Sequence, residues 1–284
     1  MKTEENALNI ALDERWGKYR AQVRICRHDF SEETVHALRV ATRRLLAVMD
    51  ILRTLDPHRR IQKIRRVLKD QLDSLDGLRD VQVMLSGIPE SVTDFPELQA
   101  FKSYLLAHEK KLLRKAHKEI KRLQTSTLKR QIGKIRTSLE EKAQEQGFGG
   151  HLLSVLDKAY SKALQAAGQM DALQPESIHR LRIAFKKFRY MVEIVNPILK
   201  EYPAANLKQM HEYQSKMGDI QDAEVFLNAL AEFDTQTVSA AAHEPARRSF
   251  ELRLTKMINT FITDRDVIHR FWRTAPEQPF PWEK

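Results

Sequence analysis

Apolar residues recur along this chain with the period of a helix. Between residues 33 and 55, Val35, Leu38, Leu45, Met49 and Leu52 fall on one arc when successive positions are turned by about 100°. Ser31 is placed to cap that helix, and Glu32 and Glu33 suit its positive N-terminal end. Pro57 ends it, since proline cannot donate the next backbone hydrogen bond. The same reading predicts a helix over 58–76 and a short one over 79–86. A loop from Gly87-Ile88-Pro89 to Phe95-Pro96 follows, then a long helix over 97–123 and another over 125–146. Trp16 and Tyr19 are expected to pack within a first helix.

The pattern then restarts. Residues 147–150, with three of the nine glycines, read as a linker between the halves 1–146 and 151–274. Beyond it, Glu33-Thr34-Val35-His36-Ala37-Leu38-Arg39-Val40-Ala41 returns 143 residues later as Glu176-Ser177-Ile178-His179-Arg180-Leu181-Arg182-Ile183-Ala184. Arg43-Arg44 returns as Lys186-Lys187, and Asp50 as Glu193. Leu78-Arg79-Asp80-Val81-Gln82-Val83 returns 142 residues later as Ile220-Gln221-Asp222-Ala223-Glu224-Val225. Two separated matches in the same order indicate internal duplication. The expected fold is all-α: two similar four-helix bundles of long antiparallel helices, packed with pseudo-twofold symmetry. The segment 275–284 holds three prolines and reads as an extended tail.

Composition narrows the chemistry. Glycine and proline are scarce, charged residues reach 30%, and the formal net charge is +10, which points to a polyanionic partner. The charge is uneven: residues 1–150 carry 30 Lys and Arg against 21 Asp and Glu, and the rest carry 18 against 17. Cys26 is the sole cysteine, so neither an intrachain disulfide nor a cysteine-ligated zinc site is expected. No signal-like start and no long apolar run are evident, and the expectation is a cytoplasmic protein without a membrane span. No phosphate-binding glycine loop, dinucleotide fingerprint, zinc-protease motif or nucleophile elbow is present.

The candidate site is a stripe. On a helical wheel His36, Arg39 and Arg43 lie within about 60° of one another, away from the apolar arc. His179, Arg182, Lys186 and Arg189 occupy the same face in the second half, with Glu193 at its end. Cations spaced this closely repel and need a counter-charge. Arginine offers a planar fork matched to phosphate oxygens, lysine a point charge, and protonated histidine two donors. A solvated basic face is the plain alternative, but it has no need of the same histidine twice. Further basic lines are Arg59, Lys63 and Arg66 with Lys69 close by, their rough counterparts Lys208, His211 and Lys216, and His108, Lys111, Lys115, Lys118 and Arg122. Together they could wall a basic channel. Asp73, Asp76 and Asp80 share a face if the helix continues through Gly77, where pairing with arginines is expected over a metal site.

Val35-His36-Ala37-Leu38-Arg39-Val40-Ala41-Thr42-Arg43-Arg44 resembles the signature of the CHAD family, the conserved histidine α-helical domain. Ile178 to Tyr190, followed by Glu193, is similar to that family's second-half motif, and Met217-Gly218-Asp219-Ile220-Gln221-Asp222-Ala223 to its Leu-Gly-x-x-x-Asp element. The first-half equivalent departs from the pattern, with Asp76 where glycine is usual. The resemblance spans residues 8–272. It implies a basic central surface that binds inorganic polyphosphate through His36, Arg39, Arg43, Arg44, His179, Arg182, Lys186 and Arg189. The Glu-x-Glu-x-Lys signature of the triphosphatase domain fused to some members is absent, which implies a stand-alone binding module.

The expectation is therefore a non-enzymatic polyphosphate binder with no cofactor and no bound metal, able to associate with polyphosphate granules or polyphosphate-metabolising enzymes. A nucleic-acid-binding protein is the runner-up, although the basic lines lack the interleaved aromatics of a stacking site, and nucleic acid fits better as a competing polyanion. A magnesium-dependent phosphohydrolase using Asp73, Asp76 and Asp80 ranks last.

Overall fold

The computed structural model describes residues 2–142, 148–199, 201–237 and 240–283. Among the described residues there are nine α-helices and no strand: α1 Lys2–His28, α2 Glu32–Leu55, α3 Arg59–Asp94, α4 Leu98–Arg122, α5 Thr125–Lys142, α6 Phe148–Gly168, α7 Pro175–Val195, α8 Ala204–Thr237 and α9 Ala240–Thr263. Short 3-10 turns cover Asn196–Ile198 and Arg265–Arg270. The chain is all-α, as expected. Helices α1 to α4 have 27, 24, 36 and 25 residues, and α6 to α9 have 21, 21, 34 and 24. The third helix is the longest in both series, and α5 stands between them, packed on α1 and α3.

Helix α2 starts where its sequence dictates. Ser31 Oγ accepts from the Thr34 amide at 3.3 Å, and Thr34 Oγ1 accepts from the Ser31 amide at 3.0 Å. In α7, Pro175 takes the first helical turn, where no backbone donor is required. The exit from α7 is marked by Asn196 and Pro197.

Two expected breaks are absent. Helix α3 passes through Gly77 and Pro89 and ends at Asp94, so the short helix 79–86 and the loop from 87 to 96 are one continuous element. Gly77 tolerates this because its local cost is about 1 kcal/mol, which long-range packing on α4 offsets; Leu112 Cδ1 lies 4.0 Å from where its Cβ would stand. Pro89 falls near the end of the helix, where it removes a single backbone bond. The expected linker also differs. Phe148, Gly149 and Gly150 form the first turn of α6, and Gly147 lies outside the described residues.

Both halves contribute to both cores. The larger core joins Tyr19, Leu38, Leu45, Val48 and Ile51 to Tyr160, Leu181, Phe185, Phe188 and Val192. The smaller one joins Val81, Met84, Ile88, Phe101 and Leu105 to Phe226, Leu230 and Phe233. Helices α2 and α7 pack directly on one another, and so do α3 and α8. Trp16 and Tyr19 are buried in α1, and the Tyr19 hydroxyl donates to Gln71 at 2.7 Å. Cys26 is buried, and desolvation holds its thiol above the usual range.

The proline-bearing tail is not extended. Residues 275–283 fold into turns closed by Gln278 N to Ala275 O at 3.1 Å and Glu283 N to Phe280 O at 3.0 Å. Phe280 and Trp282 stack at 4.6 Å and reach Trp272, which is wholly buried. Aromatic burial of this kind outweighs the extended preference of proline. No helix among the described residues is long and apolar enough to cross a membrane.

Candidate functional site

The α2–α7 contact is built by reciprocal ion pairs. Arg44 Nε of α2 donates to Glu193 Oε2 of α7 at 3.1 Å, while Lys187 Nζ of α7 lies 3.7 Å from Asp50 Oδ2 of α2. Arg44 and Lys187 are repeat counterparts, and so are Asp50 and Glu193. Each half therefore gives one cation and one carboxylate to the same clasp. Arg65 Nε also reaches Asp50, at 2.5 Å. Arg189 is buried beside the clasp, donating through Nη1 to Glu193 and through Nε to Gln214 Oε1 at 2.8 Å. Its guanidinium covers the Tyr190 ring 4.6 Å from the centroid. Arg44 thus joins the halves, while Arg189 braces Glu193 from within the second half.

The rest of the stripe turns the other way and gathers cations from both halves. Lys186 is half-buried, and its pKa is depressed to about 7 by burial, then by Arg43, Arg182 and Arg39, with Asp76 opposing. His36 is held below the usual imidazole value by burial, then by Arg79, Arg43 and Arg39. Arg43 is half-buried. Among the described residues Arg182 makes no ion pair, and its Nε is buried without a hydrogen-bond partner. His179 donates from Nδ1 to the Gln221 side-chain oxygen, which fixes the tautomer and leaves Nε2 for another partner.

Arg39 differs from its neighbours. Its side chain is 4% exposed; Nη2 lies 2.6 Å from Asp76 Oδ1 and Nη1 donates to Leu72 O at 3.2 Å. Two more carboxylates lie nearby. Asp80 is raised by burial and by Asp76, with Arg39 opposing. Asp222, the repeat counterpart of Asp80, is raised by burial, with Arg182 and Arg79 opposing. The site is therefore a cluster of cations from both halves with acidic groups of α3 and α8 beside it.

The outer basic lines lie elsewhere on the surface. Lys63, Arg66 and Lys69 are exposed on α3, and Lys111, Lys115 and Lys118 are exposed on α4, all without ion pairs among the described residues. Lys208 is exposed and 3.9 Å from Glu212, and His211 is exposed. Lys216 Nζ pairs with Asp264 Oδ2 at 2.6 Å. Among the described residues no three His, Cys, Asp or Glu side chains converge as a metal would require, and Asp76 points to Arg39.

Sequence reasoning missed Arg79, which donates to Glu32 Oε1 at 2.9 Å and acts on both His36 and Asp222. Its signal was present: it lies in the repeated element Leu78-Arg79-Asp80, where Gln221 is the counterpart that holds His179. Both side chains thus attend the histidine of their own half.

The sequence profile of the CHAD domain matches residues 10–231. A crystal structure of the CHAD domain from the plant Ricinus communis superposes with a TM-score of 0.70 at 20% identity, covering 94% of this chain and 90% of that one. At that identity the likeness is one of fold. No curated protein sequence matches the chain.

Proposed function

Since the chain belongs to the CHAD family, we propose that it binds inorganic polyphosphate without catalysis, at the cation cluster shared by α2 and α7. The observation that carries this reading is the convergence of His36, Arg43, Arg182 and Lys186 from both halves, close enough that their mutual repulsion and burial hold His36 and Lys186 below their usual values. Polyphosphate has a charge at every unit and no bases to read. Cations at one-turn spacing, with few aromatic platforms beside them, suit it better than they suit a stacked nucleic acid. In this reading Arg43, Arg182 and Lys186 hold phosphate oxygens, His36 and His179 add donors, and Arg44 and Arg189 keep the helices in register. The exposed lysines of α3 and α4 form an approach surface. Attachment to polyphosphate granules in the cytoplasm, or beside polyphosphate-metabolising enzymes, would follow from the same contacts.

Binding should release condensed counterions and weaken steeply with salt. The test compares polyphosphate affinity of the wild type with His36→Ala/Arg43→Ala and His179→Ala/Arg182→Ala. Each pair should weaken binding by about tenfold or more. Unchanged affinity in folded variants would sink the reading. Matched amounts of duplex DNA should compete poorly; equal competition would favour a nucleic-acid binder.

A further inference from the structure

The two halves treat their stripe arginines differently, and the difference lies in one residue of the facing helix. In the first half Leu75-Asp76-Gly77-Leu78-Arg79-Asp80 of α3 faces Arg39; in the second, Met217-Gly218-Asp219-Ile220-Gln221-Asp222 of α8 faces Arg182. Asp76 and Gly218 are equivalent positions. Asp76 is half exposed, so its carboxylate stands between the buried guanidinium and solvent. At Gly218 there is no side chain, and the Nε of Arg182 is left buried and unpartnered, 4.0 Å from where a Cβ would be.

We propose that Asp76 is an internal counter-ion that competes with phosphate for Arg39, and that Gly218, by leaving Arg182 uncovered, makes the second half the primary anchor for the polymer. The proposal rests on the polyphosphate reading. A phosphate that takes Arg39 must displace a carboxylate already bonded at charge-assisted distance. The displaced carboxylate remains beside Asp80, whose own carboxyl already senses it. Engaging Arg39 therefore exchanges one anion for another and adds repulsion, whereas engaging Arg182 displaces no ion-paired carboxylate among the described residues. A short or weakly charged phosphate is held by Arg182 alone. Only a chain that already occupies Arg182, Lys186 and Arg43 presents its next phosphate to Arg39 at a high effective concentration.

Two opposite substitutions test this. Asp76→Ala uncovers Arg39 and should tighten polyphosphate binding by about fivefold to tenfold, with the salt slope steeper by about one counterion. Gly218→Asp has room for its Cβ, since 4.0 Å is ordinary contact. It should weaken binding by about tenfold. Circular dichroism confirms folding. Unchanged or weaker binding in folded Asp76→Ala, or unchanged binding in Gly218→Asp, would overturn the proposal. Labelling with phenylglyoxal, read by peptide mass without any ligand, supplies an independent arm. Arg182 should react in the wild type and Arg39 only after Asp76→Ala; equal labelling of Arg39 with and without Asp76 overturns the counter-ion. If the wild type labels as expected but binds no polyphosphate, the functional reading fails and the masking of Arg39 stands. If Asp76→Ala does not fold, Gly218→Asp decides.

Discussion

Helices α2 and α7 present nearly the same line of side chains, yet the roles along it are exchanged. On α2 the histidine is exposed and the following arginine is buried and bonded. On α7 the histidine is bonded to Gln221 and the following arginine lacks a partner at Nε. The third position is arginine on one side and lysine on the other, and the lysine is the group pushed down to about 7. Repetition of a sequence motif therefore does not repeat its function residue by residue. The facing helix decides which member of each pair is bonded and which is not.

The comparison breaks most visibly at the arginines. Arg39→Ala removes a buried cation together with its bonds to Asp76 and Leu72 O, and should cost about 3 kcal/mol in thermal or urea unfolding. Arg182→Ala should cost less than about 1 kcal/mol in the same measurement, because its guanidinium forms no ion pair among the described residues. Equal losses would erase the distinction drawn here. Its price should instead be paid in binding, where Arg182→Ala weakens polyphosphate affinity by about tenfold in a titration.

Lys186 sharpens the contrast by pH. A bound phosphate would raise the pKa of this lysine from its value of about 7. Binding then takes up a proton. The contribution is fully present below about pH 7 and fades as pH rises through the higher value of the complex. Affinity measured from pH 6 to 9 should fall, and Lys186→Met should flatten the fall. The same variant should raise the melting temperature of the free protein by about 2–4 °C, since folding disfavours the charged lysine. The smallest effect belongs to His36→Gln. It should change affinity less than about twofold at pH 8 and more below pH 6, because His36 must be charged against its neighbours to help.

Much of the fold was legible because it is written in local code. The apolar arc of α2, its Ser31 cap and its stop near Pro57 are short-range instructions, and they place the helix correctly. Gly77 and Pro89 carry breaking signals of the same short range, but the packing of a 36-residue helix overrides them. The glycines at 149 and 150 are likewise absorbed into the first turn of α6. The basic face was visible on a wheel, because side-chain direction follows from spacing alone. What a wheel cannot show is the partner across the gap. That Asp76 covers Arg39, that Gly218 leaves the Nε of Arg182 without a partner, that Arg44 is engaged by Glu193 and that Arg189 is engaged by Gln214 are facts of tertiary pairing. They depend on residues 25 to 150 positions away, beyond the reach of any periodic pattern.

The clasp between Arg44 and Glu193 and between Lys187 and Asp50 has a further consequence. Its two pairs are the same exchange made twice in opposite directions. A chain half as long, meeting a second copy of itself head to head, would satisfy both pairs with one cation and one carboxylate per copy. Covalent continuity removes the concentration dependence of such a pairing. It also lifts the requirement that the copies be identical, so one groove wall can carry a carboxylate where the other carries only hydrogen. Homodimers cannot differentiate their two faces by substitution; a tandem chain can, and the Asp76–Gly218 difference is that freedom in use.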